Sequence, residues 1–275
     1  MAAMVSQTRR FVKMHGAGND FVLFDLRGDP LLLSEAQIRA LADRHTGIGC
    51  DQLILLHDGR DADVFMRIHN ADGGRVAACG NATRCVGALL MADTGADRIA
   101  IETEAGLLHA EAAGEQIAVD MGPPRLDWQA IPLARAMTTD RLDFQRGPLA
   151  DPAAVSMGNP HLVFFVDDAA SVDLASWGPA IETDPLFPER VNVSVLQVEA
   201  RDGATLRVWE RGAGLTLACG TAACAALVAA VRRGLMDRQA AIALPGGTLS
   251  IDWRADDHVW MTGPVATVFT GEVAL

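Results

Sequence analysis

Displaced by 140 residues, the chain overlays on itself, and this constrains its fold more than any other feature. Met66-Arg67-Ile68-His69-Asn70 falls on Leu206-Arg207-Val208-Trp209-Glu210. Gly74, Ala78, Cys79, Gly80 and Ala82 fall on Gly214, Ala218, Cys219, Gly220 and Ala222. Gly18-Asn19 lands on Gly158-Asn159, Phe24 on Phe164, Gln52 on Asn192 and Leu56 on Leu196. With one extra residue, Gly106 and Leu108 meet Gly247 and Leu249. Scattered identities arise by chance in a chain rich in alanine and glycine. Clustering around two Cys-Gly steps, at an offset shared by distant polar positions, does not. The chain is read as two homologous halves, residues 1–122 and 123–264, with Pro123, Pro124, Pro132, Pro148 and Pro152 marking the connection. A length of 275 residues agrees, since domains run to about 150.

Each half carries the same coarse pattern. In the first, Asp20–Leu26, Gln52–His57 and Asp63–His69 are rich in Val, Ile, Leu and Phe and predict strands. Ser34-Glu35-Ala36-Gln37 is a capping-box start for a helix to about His45. Beyond Cys79-Gly80-Asn81, the run Ala82–Ala92 is apolar nearly all round, as a helix buried on every side must be. Strands near Arg98–Thr103, Leu107–Glu111 and Gln116–Met121 follow. The second half repeats this with strands at His161–Val166, Val191–Val198 and Thr205–Glu210 and a buried helix over Thr221–Arg232. Strands at Ala240–Leu244, Thr248–Trp253, His258–Met261 and Val265–Phe269 close the chain. Strands wrapped around one apolar helix per half give an α+β class with two pseudo-symmetric domains, each a mixed sheet around a central helix.

Composition narrows the function. A net charge of −12 disfavours nucleic acid and anionic membrane as partners. Lys13 is the only lysine, so Schiff-base cofactor chemistry has a single candidate. Cys50, Cys79, Cys85, Cys219 and Cys224 are odd in number and contain no CxxC pair, which argues against a disulfide framework or zinc finger. The spacings Cys79–Cys85 and Cys219–Cys224 are poor for a tetrathiolate metal site, and no metal is expected. Thr8-Arg9-Arg10-Phe11-Val12-Lys13 faintly resembles a twin-arginine export signal, but no apolar region follows. Within the uncharged stretch Gly212–Val231 only Ala222–Val231 is continuously apolar, enough for a buried helix and too short for a membrane span. The expectation is a cytoplasmic protein.

In each half a glycine-bearing turn delivers a cysteine to the start of the buried helix, as Gly73-Gly74…Cys79-Gly80-Asn81 and Gly212-Ala213-Gly214…Cys219-Gly220-Thr221. A helix N-terminus presents unpaired N–H donors and the positive end of the macrodipole. It can hold a carboxylate and lower a neighbouring thiol's pKa. Asn81 and Thr221 are suited to capping there. Two such mouths facing across a domain cleft would grip one carboxylate and set a thiol on either face of the adjacent carbon, as racemisation requires. Cys85 and Cys224, on the apolar helices, are read as core residues.

Other signals are weaker. Gly16-Ala17-Gly18 starts like a dinucleotide fingerprint, but Phe21 stands where the third glycine belongs. No GxSxG or HExxH motif is present. His161 reads either as a satisfied strand histidine or, beside Asn159, as part of the site. Glu210-Arg211 reads as a solvated pair or, through the overlay of Glu210 on Asn70, as a ligand pair.

Seven segments, in order over nearly the whole chain, resemble the diaminopimelate epimerase family. They are Lys13-Met14-His15-Gly16-Ala17-Gly18-Asn19-Asp20-Phe21, Gly47-Ile48-Gly49-Cys50-Asp51-Gln52, Asn70-Ala71-Asp72-Gly73, Cys79-Gly80-Asn81, Gly158-Asn159-Pro160-His161, Glu210-Arg211-Gly212-Ala213-Gly214 and Ala218-Cys219-Gly220-Thr221. The resemblance implies a cofactor-independent epimerase converting LL- to meso-diaminopimelate, for lysine and peptidoglycan precursors. It implies an active site between the two domains, a homodimer, and a last strand at 265–275 returning to the first domain. By motif, Cys79 and Cys219 are the base/acid pair, with His161 and Glu210 assisting. The backbone amides of Gly80, Asn81, Gly220 and Thr221 would hold the reacting carboxylate. Asn19, Gln52, Asn70, Asn159, Asn192, Glu210 and Arg211 would line the substrate site, Arg211 suiting the distal carboxylate. Ala82 and Ala222 stand where the family often has glycine, and Cys50 where phenylalanine is common. Two alternatives remain open from the residues alone: a proline-racemase-like two-cysteine isomerase, and a non-catalytic amino-acid- or metal-binding protein.

Overall fold

The computed structural model describes residues 8–275. The chain divides into two compact units: one runs through Val119 and takes in Pro264–Leu275, and the other is Asp120–Gly263.

In the first unit β1 (Thr8–Gly16) and β2 (Asn19–Asp25) form a hairpin. Its turn residues, Ala17 and Gly18, both have positive φ, the geometry that matches strand twist. Helix α1 (Glu35–Ala42) leads to β3 (Gln52–His57), parallel to β2. β4 (Val64–Asn70) returns antiparallel, and after β5 (Arg75–Val76) the chain enters helix α2 (Gly80–Thr94). β6 (Arg98–Thr103) lies parallel to β4, and β7 (Gly106–Ala113) and β8 (Gln116–Asp120) continue as a meander. The last strand of the chain, Ala266–Ala274, pairs antiparallel along β1 for almost its whole length. That pairing explains why it outruns the stretch expected from sequence, Val265–Phe269.

The second unit opens with a small hairpin, β9 (Gln145–Arg146) and β10 (Leu149–Ala150). Next come β11 (Ala153–Ser156), β12 (Pro160–Phe165), helix α3 (Leu174–Glu182) and β13 (Asn192–Ala200), the last parallel to β12. β14 (Gly203–Glu210) and β15 (Gly214–Leu215) lead into helix α4 (Gly220–Arg232). β16 (Gln239–Leu244), β17 (Gly247–Trp253) and β18 (Val259–Gly263) complete the sheet. The prolines between the halves do not mark an isolated linker: Ile131, Leu133, Leu142 and Leu149 are buried in one cluster with Leu162, Phe164 and Val193.

The repeat extends to hydrogen-bond register. Phe21 pairs with Gln52 in one unit and His161 with Asn192 in the other; Leu53↔His69 recurs as Val193↔Trp209. After the helices the offset slips by one residue, Thr103↔Gly106 answering Leu244↔Gly247. The architecture is α+β with two repeated halves.

Helix α2 packs against β1, β6 and β7, and α4 against β11, β12, β13 and β16 to β18. Burial on nearly all sides explains why neither helix shows a polar stripe. Gly87 lets α2 approach β7, since a Cβ there would stand 2.6 Å from that of Ala110. No helix among the described residues is long and apolar enough to cross a membrane.

The Ser34 capping box forms, with the Gln37 side chain returning to the Ser34 backbone. The helix stops at Ala42, short of His45, because the Asp43 carboxylate captures the backbone amides of His45 and Thr46. Sequence reasoning missed β1, β11 and α3. Glycine and proline disfavour a helix interior, yet α3 includes Gly178 and Pro179; it is capped by Asp173, and Gly178 is where the Trp209 ring packs, 2.5 Å from the position of a Cβ.

Candidate active site

In the first unit, Cys79 occupies the N-cap position of α2 in extended conformation, with no hydrogen bond from its side chain to the helix amides. Backbone amides that serine or aspartate would cap are therefore left to another acceptor. Asn81 is buried, and its Nδ2 donates to Asn19 Oδ1 at 3.3 Å; the Cys79 thiol lies 3.9 Å from the same oxygen. The β1–β2 turn places Asn19 there. Parallel β3 and antiparallel β4 bring Gln52 opposite Asn70, where Gln52 Nε2 donates to Asn70 Oδ1 at 2.9 Å. Gln52 Oε1 is buried with no protein partner.

Behind Asn19 lies a charge network that sequence reasoning did not single out. Asp51 accepts from Asn19 Nδ2 at 2.9 Å, from the Asp20 amide at 3.1 Å and from Arg44 at 2.8 Å. Lys13 is buried and donates to Asp20 and to the Gly49 carbonyl. Burial pushes the Asp20 carboxyl up, but hydrogen bonds from Arg44 and Lys13 outweigh it and hold it well below the usual carboxylate range. Nearby, burial pushes the Cys50 thiol up to about 11, and within α2 it pushes Cys85 up to about 12.

In the second unit, Cys219 is the N-cap of α4 and is 6% exposed. Burial raises its thiol well above the usual value, and the adjacent Glu210 carboxylate raises it further by charge and by accepting its hydrogen bond. Thr221 opposes this, its Oγ1 lying 3.5 Å from the sulfur. Asn159 Nδ2 donates to Thr221 Oγ1 at 3.2 Å, and Asn159 Oδ1 meets His161 Nε2 at 3.0 Å. Cys219, Thr221, Asn159 and His161 thus form one hydrogen-bonded series. Thr216, which the sequence did not flag, donates its hydroxyl to Glu210.

Arg211 is fixed at its backbone by Asn192 Oδ1 (2.9 Å) and at its guanidinium by the Glu189 carbonyl (2.9 Å). The Asn192 amide also donates to the Pro160 carbonyl, so both of its ends are engaged inside the unit. It braces the Arg211 backbone. Arg211 borders a polar cavity of about 280 Å³ whose other walls include Arg125, Gln129, Ser156 and Glu189, none of them flagged by the sequence. Helix α3 steadies the turn before Cys219, since buried Glu182 accepts from the Trp209 indole at 2.7 Å and from the Gly212 amide at 3.0 Å. Among the described residues, no three His, Cys, Asp or Glu side chains gather as a metal site would need.

His161 is fully buried, and desolvation, aided by Arg211, lowers it to about 3. It is therefore a neutral imidazole at neutral pH. The folded-state value lies below the unfolded one, so between them the unfolded chain binds more protons and stability is lost as the pH is lowered. His161→Gln is expected to flatten this acid limb. Chemical denaturation should show wild type losing about 2 kcal/mol more than the variant between pH 6.5 and 5. Equal losses would place the His161 ring in contact with solvent.

The fold and the two cysteine-headed helices place the chain in a class of duplicated α+β proteins. A PhzF-family phenazine biosynthesis protein of Bacillus anthracis shares the fold, with TM-score 0.70 at 16% identity over 98% of this chain and all of that one. The sequence comparison is more specific. The diaminopimelate epimerase family profile matches residues 11–126 and 153–268, one match in each half. Diaminopimelate epimerase of Rhodospirillum centenum is 57% identical over 97% of this chain and 92% of its own length. That of Acidiphilium cryptum is 56% identical over 98% of each. The chain belongs to the diaminopimelate epimerase family.

Proposed function

We propose that this chain is an enzyme interconverting LL- and meso-diaminopimelate without a cofactor, with Cys79 and Cys219 as its two acid–base groups. The observation that carries the reading is the duplicated helix mouth. Each buried helix has a cysteine at its N-cap, and the first-turn amides beside that cysteine are the groups that would meet a carboxylate. One sulfur, as thiolate, takes the α-proton and becomes a thiol. The negative charge that develops spreads into the α-carboxylate, which the amides of Gly80, Asn81, Gly220 and Thr221 would hold. The other sulfur, as thiol, gives its proton to the opposite face and becomes the thiolate. The reading requires both sulfurs to serve one α-carbon.

Arg211 suits the distal carboxylate and Glu210 an ammonium group, while Asn19, Gln52, Asn70 and Asn159 supply amides along the substrate. Gln52 Oε1, a buried acceptor without a protein partner, supports such a role. His161 and Glu210 would assist the Cys219 thiol. The reading extends to a cytoplasmic homodimer in lysine and peptidoglycan precursor synthesis, which sedimentation and deletion complementation would check.

The test is proton NMR of reduced, chelator-treated protein with LL-diaminopimelate in deuterium oxide, without added cofactor. The expected result is deuterium at the α-position together with meso product. Folded, thiol-active protein that leaves the α-proton in place would overturn the reading and direct the assay to proline-like substrates.

A further inference from the structure

The repeat sets an asparagine beside each helix mouth, Asn19 at α2 and Asn159 at α4, yet the two amides are turned in opposite senses. Asn19 sends Nδ2 to Asp51, so its oxygen faces the mouth, towards Asn81 Nδ2 and the Cys79 thiol. An ionised carboxylate only accepts, so Asp51 dictates which end of the amide it receives. Asn159 does the reverse, sending Nδ2 into the mouth towards Thr221 and keeping its oxygen on His161. With its oxygen engaged by Asn159, the Thr221 hydroxyl has its hydrogen available for Cys219. The Cys79 thiol therefore meets an amide oxygen, whereas the Cys219 thiol meets the Thr221 hydroxyl and the Glu210 carboxylate.

The difference is written into the overlay. Asp51 falls on Val191 and Phe21 on His161, so each half has one polar group for orienting its asparagine, on a loop in the first half and on a strand in the second. Asp51 is itself held by Arg44 and by the Asp20 amide, which fixes the carboxylate on the Gly47–Asp51 loop.

We propose that Asp51 is a positioning residue, which keeps the Asn19 amide oxygen turned to Cys79 and so gives that thiol an acceptor for its proton. The role rests on the acid–base reading of Cys79. A bond to an acceptor favours S–H over the thiolate, so the Asn19 oxygen holds the proton on Cys79 until substrate enters.

The experiment is alkylation by iodoacetamide against pH, with peptide mass spectrometry reading Cys79 and Cys219 separately in the same sample. In Asp51→Asn the Asn19 amide is free to turn. The Cys79 midpoint is then expected to fall by about one pH unit, a roughly tenfold faster reaction below it, with Cys219 unchanged. Asn19→Ala is expected to lower the Cys79 midpoint too, and adding Asp51→Asn to it should change the rate less than about twofold. An equal shift in both backgrounds would assign the effect to the lost charge and overturn the proposal, as would no shift in either. If Asp51→Asn misfolds, the Cys219 rate departs as well, and Asn19→Ala alone decides: an unmoved Cys79 midpoint overturns the proposal. Alkylation needs no substrate, so failure of deuterium exchange would remove the epimerase reading and leave the orientation result standing.

Discussion

Cys79→Ser is expected to lower epimerisation by about 10²–10⁴-fold, the range that a positioned acid–base group contributes. Serine keeps the size of cysteine but ionises far above neutral pH, so it can neither take the α-proton as an anion nor return one readily. Stability should move the other way. Cys79 is an N-cap residue without a cap hydrogen bond, and serine is a favoured N-cap because its oxygen accepts from the first-turn amides. The variant should melt at the wild-type temperature or above it. The same argument holds for Cys219→Ser at α4. Parallel measurement of turnover and thermal melting separates a catalytic role from a packing role. Full turnover in either variant would sink the two-thiol mechanism, and a large loss of melting temperature would make the cysteines structural. At both helices the sequence forgoes a better cap for a thiol, a local inconsistency of the kind expected at a functional position.

Glu210→Gln should be nearly as damaging, with a diagnostic side effect. The Glu210 carboxylate raises the Cys219 thiol by its charge and by accepting its proton, and it is held in place by Thr216. Glutamine keeps the shape and the Thr216 contact but loses the charge and the basicity. We expect turnover to fall about 10²-fold, as for removal of a proton-transfer group. Cys219 should at the same time alkylate faster at a given pH, because the carboxylate that opposed its ionisation is gone. A more reactive thiol in a slower enzyme is the signature of a lost proton acceptor. Slower turnover with unchanged alkylation would restrict Glu210 to substrate binding.

Much of this was legible in the chain. The offset between the halves reappears as strand register, because a duplicated pattern of apolar alternation and turns imposes the same pairing twice. The buried helices were legible because apolar residues dominate them over several turns, α2 being interrupted only by Thr83 and Arg84 within Ala82–Ala92. Helix α3 was not legible: its glycine and proline obey a tertiary demand, contact with the Trp209 ring, that local propensity does not contain. β1 was hidden by its arginines, which stay exposed or half-buried on a strand whose inner residues, Phe11, Lys13 and Met14, are buried.

By itself the sequence determined the α+β class, the repeat and the identity of the residues at each helix mouth, since periodicity and short motifs are properties of neighbours in the chain. Only the tertiary structure decided how those residues are used. It tied the Asn192 amide to the Arg211 backbone at one end and to the Pro160 carbonyl at the other, buried His161 until it is neutral, and set Glu210 against Cys219. It also turned the asparagines in opposite senses through Asp51 in one half and His161 in the other. Hydrogen-bond direction and desolvation depend on groups distant in sequence, so they are fixed only when the strands carrying those groups have paired.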